Sequence, residues 1–296
     1  ATPPMPERLL GVRVPPAPGS AASAPAADDA GQPGVAKAGR DILEINIPLD
    51  KNTSADCVIE FFPDGSASAK WIVYDLPIPL PYIACMVNEI DLVGDLVPYV
   101  AKAEVLHQFP TNEADKLIRV ATRPPVPFIA GFETTPQCMG FDLLDSPWGG
   151  FCLVQCQPDF QPPAAGDGTE SGGDSLKPTW RGVPKPPPFQ ANFKQVAVEG
   201  AVALASPSGP AGERTNIVFA GRGDLQVPRS MLPNWLIIWI AKFIGRFVYQ
   251  RAIDHVAKFD TTEHGRRLNG PAASFYADLR ARLQEHVASK RSRAEN

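Results

Sequence analysis

The chain has 296 residues, 44% of them hydrophobic, which suffices for one large domain or two small ones with a sizeable core. A formal charge of −4 provides no overall basic field and argues against nucleic acid as a partner. Five cysteines (Cys57, Cys85, Cys138, Cys152 and Cys156) are odd in number and widely spaced, so they do not read as a disulfide framework. Cys152 and Cys156 are about 13 Å apart along a predicted strand, too far to bridge, and buried thiols in a reducing compartment are expected.

Ala1 to about Ala38 is rich in Pro, Ala and Gly and has too few large apolar residues to fold alone. It is expected to be an extended low-complexity tail. The start at Ala1 and the Ala/Pro-rich composition lead us to expect a processed organellar protein, in plastid or mitochondrion and peripheral to a membrane. The alternative is a cytoplasmic protein.

The folded part starts near Asp41, and the domain is taken as residues 39–260. LEINIP alternates like a short strand. Cys57–Phe62 and Ala69–Tyr74 flank the turn Pro63-Asp64-Gly65-Ser66 and predict a β-hairpin. After Pro77, Pro79 and Pro81, the spacing of Ile83, Val87 and Ile90 predicts a helix over Leu80–Asp91. Strands are predicted over Lys102–Phe109, Lys116–Thr122, Phe128–Glu133, Cys138–Leu144 and Gly150–Gln157. Pro158 to about Gln190 reads as a Pro/Gly-rich insertion, longer than an ordinary loop. Two more strands follow, Gln195–Ala205 and Arg214–Ala220.

The period then changes. Pro228 to about Phe259 predicts one long helix, with Leu232, Leu236, Trp239, Phe243 and Phe247 on one face. Ile237, Ile238, Ala241 and Val248 fall elsewhere on its circumference, so its first half is apolar nearly all round. A last helix is predicted over Pro271–Lys290, with Phe275, Leu279, Leu283 and Val287 as its apolar stripe. It makes residues 261–296 a C-terminal helical extension. No run approaches the ~20 apolar residues of a transmembrane helix.

No reactive constellation is visible. The four histidines, His107, His255, His264 and His286, show no metal-ligand spacing, and no GxSxG elbow, Walker loop or GxGxxG fingerprint occurs. Asp142 and Asp145 flank a turn, where local hydrogen bonding is the expected role. The chain is therefore read as non-enzymatic, without cofactor or metal.

A hairpin, a helix, a long antiparallel run and one long helix suit a curved sheet gripping a helix. Three stretches resemble the START (StAR-related lipid transfer) family of helix-grip lipid-binding proteins. LPYIACMVNEIDLVGDLVPYV (Leu80–Val100) is similar to the family's first-helix segment. PPVPFIAGFETTPQCMGFDLLDSPWGGFCLVQCQ (Pro124–Gln157) is similar to its central strand pair. GDLQVPRSMLPNWLIIWIAKFI (Gly223–Ile244) is similar to its closing strand and lid helix. The match runs from about Asp41 to Phe259 and departs in the tail, the insertion and the last helix.

The resemblance implies an α+β helix-grip fold with a lipid or other hydrophobic ligand in a cavity under the long helix. The cavity candidates are Met86, Glu89, Arg119, Trp235, Trp239 and Phe243. Glu89 matches an acidic residue that can face the cavity in the family, with Arg119 as a candidate partner; otherwise it is a solvated residue at a helix end. Trp235, Trp239 and Phe243 line the cavity or fill the core. The alternative function is an accessory subunit of a large organellar membrane-associated complex. It would grip other subunits through residues 1–38, 158–190 and 271–290.

Overall fold

In the computed structural model, residues 41–295 are described apart from 98, 111–112, 124–129, 161–177, 191–192, 197, 225–226 and 271–273, with side chains to residue 292. The predicted tail lies outside them. β1 (Asp41–Pro48) turns Ile45 and Ile47 inward and Glu44 and Asn46 outward, the alternation that its sequence dictates. β2 (Ser54–Phe61) and β3 (Ser66–Leu76) form the expected hairpin. Asp64 accepts from the Ser66 amide at 2.9 Å, and Gly65 takes φ +87°, which glycine tolerates.

Eight further strands join these three in one sheet: β4 (Val100–Gln108), β5 (Lys116–Thr122), β6 (Phe132–Thr134), β7 (Gln137–Leu143), β8 (Gly150–Cys156), β11 (Lys194–Gln195), β12 (Val198–Ser208) and β13 (Arg214–Asp224). The order is β1-β2-β3-β13-β12-β8-β7-β5-β6-β11, with β4 on β5. Every pair is antiparallel except β11 with β6. The sheet is curved and does not close into a barrel. This is the α+β helix-grip arrangement expected from the sequence.

The segment read as an insertion contributes its own hairpin, β9 (Thr179–Trp180) and β10 (Val183–Pro184). Its turn residues Arg181 and Gly182 both take positive φ, the condition for a two-residue type I′ loop. Trp180 Nε1 donates to Gln137 Oε1 at 2.9 Å, and Arg181 pairs with Asp115 at 2.9 Å while covering Phe109. Glu133 accepts from the Phe189 amide at 2.7 Å. Residues 178–190 are thus stapled to the domain's own strands.

Four helices pack on the sheet. α1 (Leu80–Asn88) starts after Pro79 and buries Leu80, Ile83, Ala84 and Met86. It stops three residues short of the predicted end, where Glu89 leaves helical geometry and Ile90–Asp95 continues as a 3₁₀ turn. α2 (Asn234–Val256) is the long helix, trimmed at its start by Pro233. α3 (Glu263–Asn269) is not anticipated from the sequence; Thr262 caps it by accepting from the Gly265 amide at 3.2 Å.

α4 (Ser274–Glu295) is the last helix, and it buries Tyr276, Leu279 and Leu283 in the main core. It also ties down two turns of the sheet. Arg282 pairs with Asp145 at 2.8 Å, and Arg291 donates to the Pro210 carbonyl at 2.6 Å. The main core joins α1, α3, α4 and the last turns of α2 with Phe151, Leu153 and Ala205 of the sheet.

The first half of α2 rests on β1–β3 through two smaller clusters. One holds Ile45, Ile47, Ala55, Cys57 and Ala241; the other holds Phe61, Ala67, Leu232 and Ile237. Gly245 sets the approach, because a Cβ there would lie 3.0 Å from the Trp71 ring.

Candidate functional site

The sheet register shows which side chains face the helices, since cross-strand partners lie side by side on one face. One row runs Ile45, Cys57, Trp71, Phe219, Ala203, Leu153. Ile45, Cys57 and Leu153 are buried, so the row faces inward. Phe219 is nevertheless 39% exposed. The next inward row, through Ala69, Gly221 and Ala201, carries only small groups at the middle of the sheet. Ala201, Ala203 and Ala205 form the inward edge of β12.

Central strands of a large sheet are ordinarily its most buried part. Here Trp71, Val73, Ala203 and Ile217 are only half-buried among the described residues. Small residues beside a partly exposed Phe219 leave the middle of the inward face thinly covered, a candidate apolar trough. This trough is the candidate ligand surface, and the sequence reading missed it. The signal was present in GAVALAS (Gly200–Ser206), where alanine alternates with larger residues and puts only methyl groups on one face.

The predicted cavity residues do not converge. Met86 is buried in the main core. Glu89 pairs with Arg267 and not with Arg119. Arg267 Nη1 donates to Glu89 Oε2 at 2.6 Å and Nη2 to Asp91 Oδ2 at 2.7 Å, while Nε reaches Glu263 at 3.1 Å. Tyr276 donates to Glu89 Oε1 and accepts from Asn88 Nδ2 at 2.9 Å. Glu89 is thus neither a solvated helix end nor a cavity group. It is the anchor that ties α3 and α4 to α1.

Burial disfavours ionised Asp91, but the Arg267 hydrogen bonds and charge outweigh it and hold the carboxyl below its ordinary range. The Asp91 hydrogen bonds likewise hold Arg267 firmly protonated. Arg119 lies elsewhere, on β5. Its Nε is 2.7 Å from Glu104 Oε1, and Nη1 donates to the Pro187 carbonyl at 2.8 Å, so it braces the stapled segment.

Trp235, Trp239 and Phe243 are 69%, 55% and 41% exposed, so among the described residues they are not enclosed beneath α2. The helix is rolled relative to the expected face: Ile237, Ala241 and Tyr249 are buried in their place. The cause is close approach. Ala241 and Gly245 let the helix backbone descend onto Ile47 and Trp71, and bulky indoles on that side would hold it off.

A second buried polar pair sits where α2 meets α3. His255 Nε2 and His264 Nδ1 are 3.0 Å apart. Burial lowers the pKa of both rings, and His264 falls to about 4 with the neighbouring His255 as second cause. The four buried cysteines have thiols pushed up by burial, to about 12 for Cys57, Cys85 and Cys138 and about 11 for Cys152. Such thiols are poor nucleophiles. Among the described residues, no group of three or more His, Cys, Asp or Glu is placed to hold a metal ion. A cleft of about 250 Å³ near β6 is lined by Glu133, Gln157, Asp159, Lys185 and Gln195; it is too polar for a hydrophobic ligand.

No family model and no curated protein matches the chain. Solved structures do. Human STARD10 aligns with a TM-score of 0.50 at 11% identity, over 74% of this chain and 76% of that chain. Human StAR-related lipid transfer protein 5 gives 0.49 at 14%, over 75% and 88%. A StAR-related lipid transfer protein fragment from Xanthomonas axonopodis gives 0.45 at 9%, over 72% and 98%. At these identities the likeness is one of fold. The chain has the START-type helix-grip fold, as its sequence resemblance implied.

Proposed function

We propose that this protein is a non-catalytic binder of a lipid or other hydrophobic ligand, held in the trough between the concave sheet and α2. The observation that carries this reading is Phe219, an inward-facing aromatic left 39% exposed above a floor of Ala201, Ala203 and Gly221. An apolar concave surface with small side chains at its floor suits an acyl or polycyclic group, and burial of that group would be favourable by about 25 cal/mol per Å². The START-type fold supports the same general reading.

α2 is fitted to act as the lid. Its first half is attached through two small apolar clusters, so lifting it exposes far less surface than opening the main core. Residues 178–190 and α4 are committed at least in part to their own domain, so the alternative, an accessory subunit, would rest chiefly on residues 1–38 and 161–177, outside the described region.

The test is extraction of purified protein and mass spectrometry of the organic phase, with displacement of a fluorescent fatty-acyl probe. Ala203→Trp fills the trough and is expected to abolish probe binding while thermal unfolding stays cooperative. Probe binding unchanged by Ala203→Trp, or no ligand and no probe binding at all, would overturn the proposal.

A further inference from the structure

α2 carries a second apolar surface on the side away from the sheet. Trp235, Trp239, Phe243 and Phe247 recur every four residues along α2, the spacing that places side chains along one helix face, and Met231 precedes them in the turn Arg229–Met231. Met231 is 63% exposed, Trp235 69% and Trp239 55%. The rings stack into a ladder: Trp239 on Phe243 with centroids 5.5 Å apart and planes at 10°, and Phe243 on Phe247 at 6.0 Å and 28°. Arg251 ends it, with its guanidinium 5.4 Å from the Phe247 centroid. Pre-stacked rings have little rotamer freedom left to lose on contact.

The charge on α2 beside the ladder is one-sided. Between Asp224 and Asp254 there is no acidic residue, whereas Lys242, Arg246 and Arg251 of α2 are all cationic, in a chain whose net charge is −4; Arg229, before the helix, is ion-paired with Asp41 at 2.6 Å. We infer that this face of α2 docks on an anionic lipid bilayer, with the aromatic ladder in the interface and the basic residues at the phosphates. Trp and Phe on one helix face with Lys and Arg beside them match an interfacial helix. No helix of the described residues is long and apolar enough to cross a membrane, and α2 is held flat from behind by Ile237 and Ala241. It therefore lies on the surface. A second copy of this chain suits the face poorly, because antiparallel pairing of two such helices would bring like charges together.

This inference does not depend on the trough holding a ligand, and its readout is separate. Full-length protein is mixed with phosphatidylcholine vesicles, with and without phosphatidylserine. Binding is followed by co-sedimentation and by quenching of tryptophan fluorescence with bromine-labelled lipid. Binding is expected only with the anionic vesicles, together with quenching. Trp235→Ala/Trp239→Ala is expected to weaken it by roughly a hundred-fold. Lys242→Glu/Arg251→Glu is expected to abolish the preference for phosphatidylserine with the ladder intact. No binding to anionic vesicles, or equal binding of all variants, would overturn the inference. So would a dimer in sedimentation velocity that the tryptophan substitutions dissolve, or a wild-type ladder shielded from aqueous quencher by the chain's own residues 1–40.

Discussion

His255 and His264 share one buried hydrogen bond, Nε2 to Nδ1 at 3.0 Å, and it joins the end of the lid helix to the short helix α3. One ring must donate and the other accept, so the contact exists only while at least one is neutral. Asp95 and Glu89 favour a charged His264, and Arg267 and His255 oppose it; Asp95 favours and Lys258 opposes a charged His255. Burial dominates in both.

The sign of the pH dependence follows. Both rings have folded pKa values below the unfolded 6.5, so the unfolded chain binds protons more readily. The stability contribution is complete above pH 6.5 and is lost as pH falls from there towards about 4, where His264 titrates in the folded state. A shift of that size corresponds to on the order of 3 kcal/mol. Urea midpoints measured between pH 7.5 and 4 are expected to fall, and His264→Gln is expected to flatten the decline. An equally steep decline in the variant would remove the pair as its cause.

The Glu89–Arg267–Tyr276 anchor predicts coupling. Arg267→Ala leaves Glu89, Asp91 and Glu263 without their shared cation, and because Arg267 is partly exposed the cost is about 1–3 kcal/mol. Tyr276→Phe leaves Glu89 and Asn88 short of a partner and costs about 1–2 kcal/mol. Both changes act through Glu89, so a double-mutant cycle in urea melts should be non-additive by about 0.5 kcal/mol or more. Strict additivity would mean that the contacts act separately.

The roll of α2 predicts an inversion of what residue size suggests. Ile237→Ala removes a buried side chain and should cost about 2–4 kcal/mol. Trp239→Ala removes a far larger but exposed one and should cost below about 1 kcal/mol. Equilibrium denaturation of the two variants side by side distinguishes this orientation from one with the indole inside.

Gly265 marks a closure. A Cβ there would sit 2.1 Å from the Phe259 carbonyl oxygen, so α3 cannot fold back against the 3₁₀ turn Phe259–Thr261 with any larger residue. Gly265→Ala should cost about 1–3 kcal/mol or more. Amide exchange is expected to rise in residues 259–269 first, with the β-sheet amides protected as before. Unchanged exchange in that segment would show that the turn has another way to close.

The sheet and the lid were legible because their signals are local. Alternation in Asp41–Pro48, the Pro63–Ser66 turn and the apolar run after Pro233 each declare an element within a few residues. α3 was not legible: at seven residues it is too short for periodicity, and it is held by a Thr262 cap and tertiary contacts. The partner of Glu89 was not legible either, since Arg267 lies far along the chain. The face of α2 was misjudged because large aromatics dominate a hydrophobic pattern, whereas Ala241 and Gly245 decide how closely a helix can approach. The same bias hid the trough, whose floor is made of the side chains with least to show.

The seam between β3 and β13 sets an order of manufacture. Trp71 lies opposite Phe219 across this seam, so the amino-terminal meander β1–β3 leaves the ribosome well before its neighbour exists. Until β13 arrives, the open edge of β3 presents unpaired amides and carbonyls beside Ile72 and Val73. α2, which covers Ile45 and Ile47, is made later still. A premature stop before Arg214 therefore yields a sheet with two raw halves and no lid, the kind of nascent species that chaperones must hold.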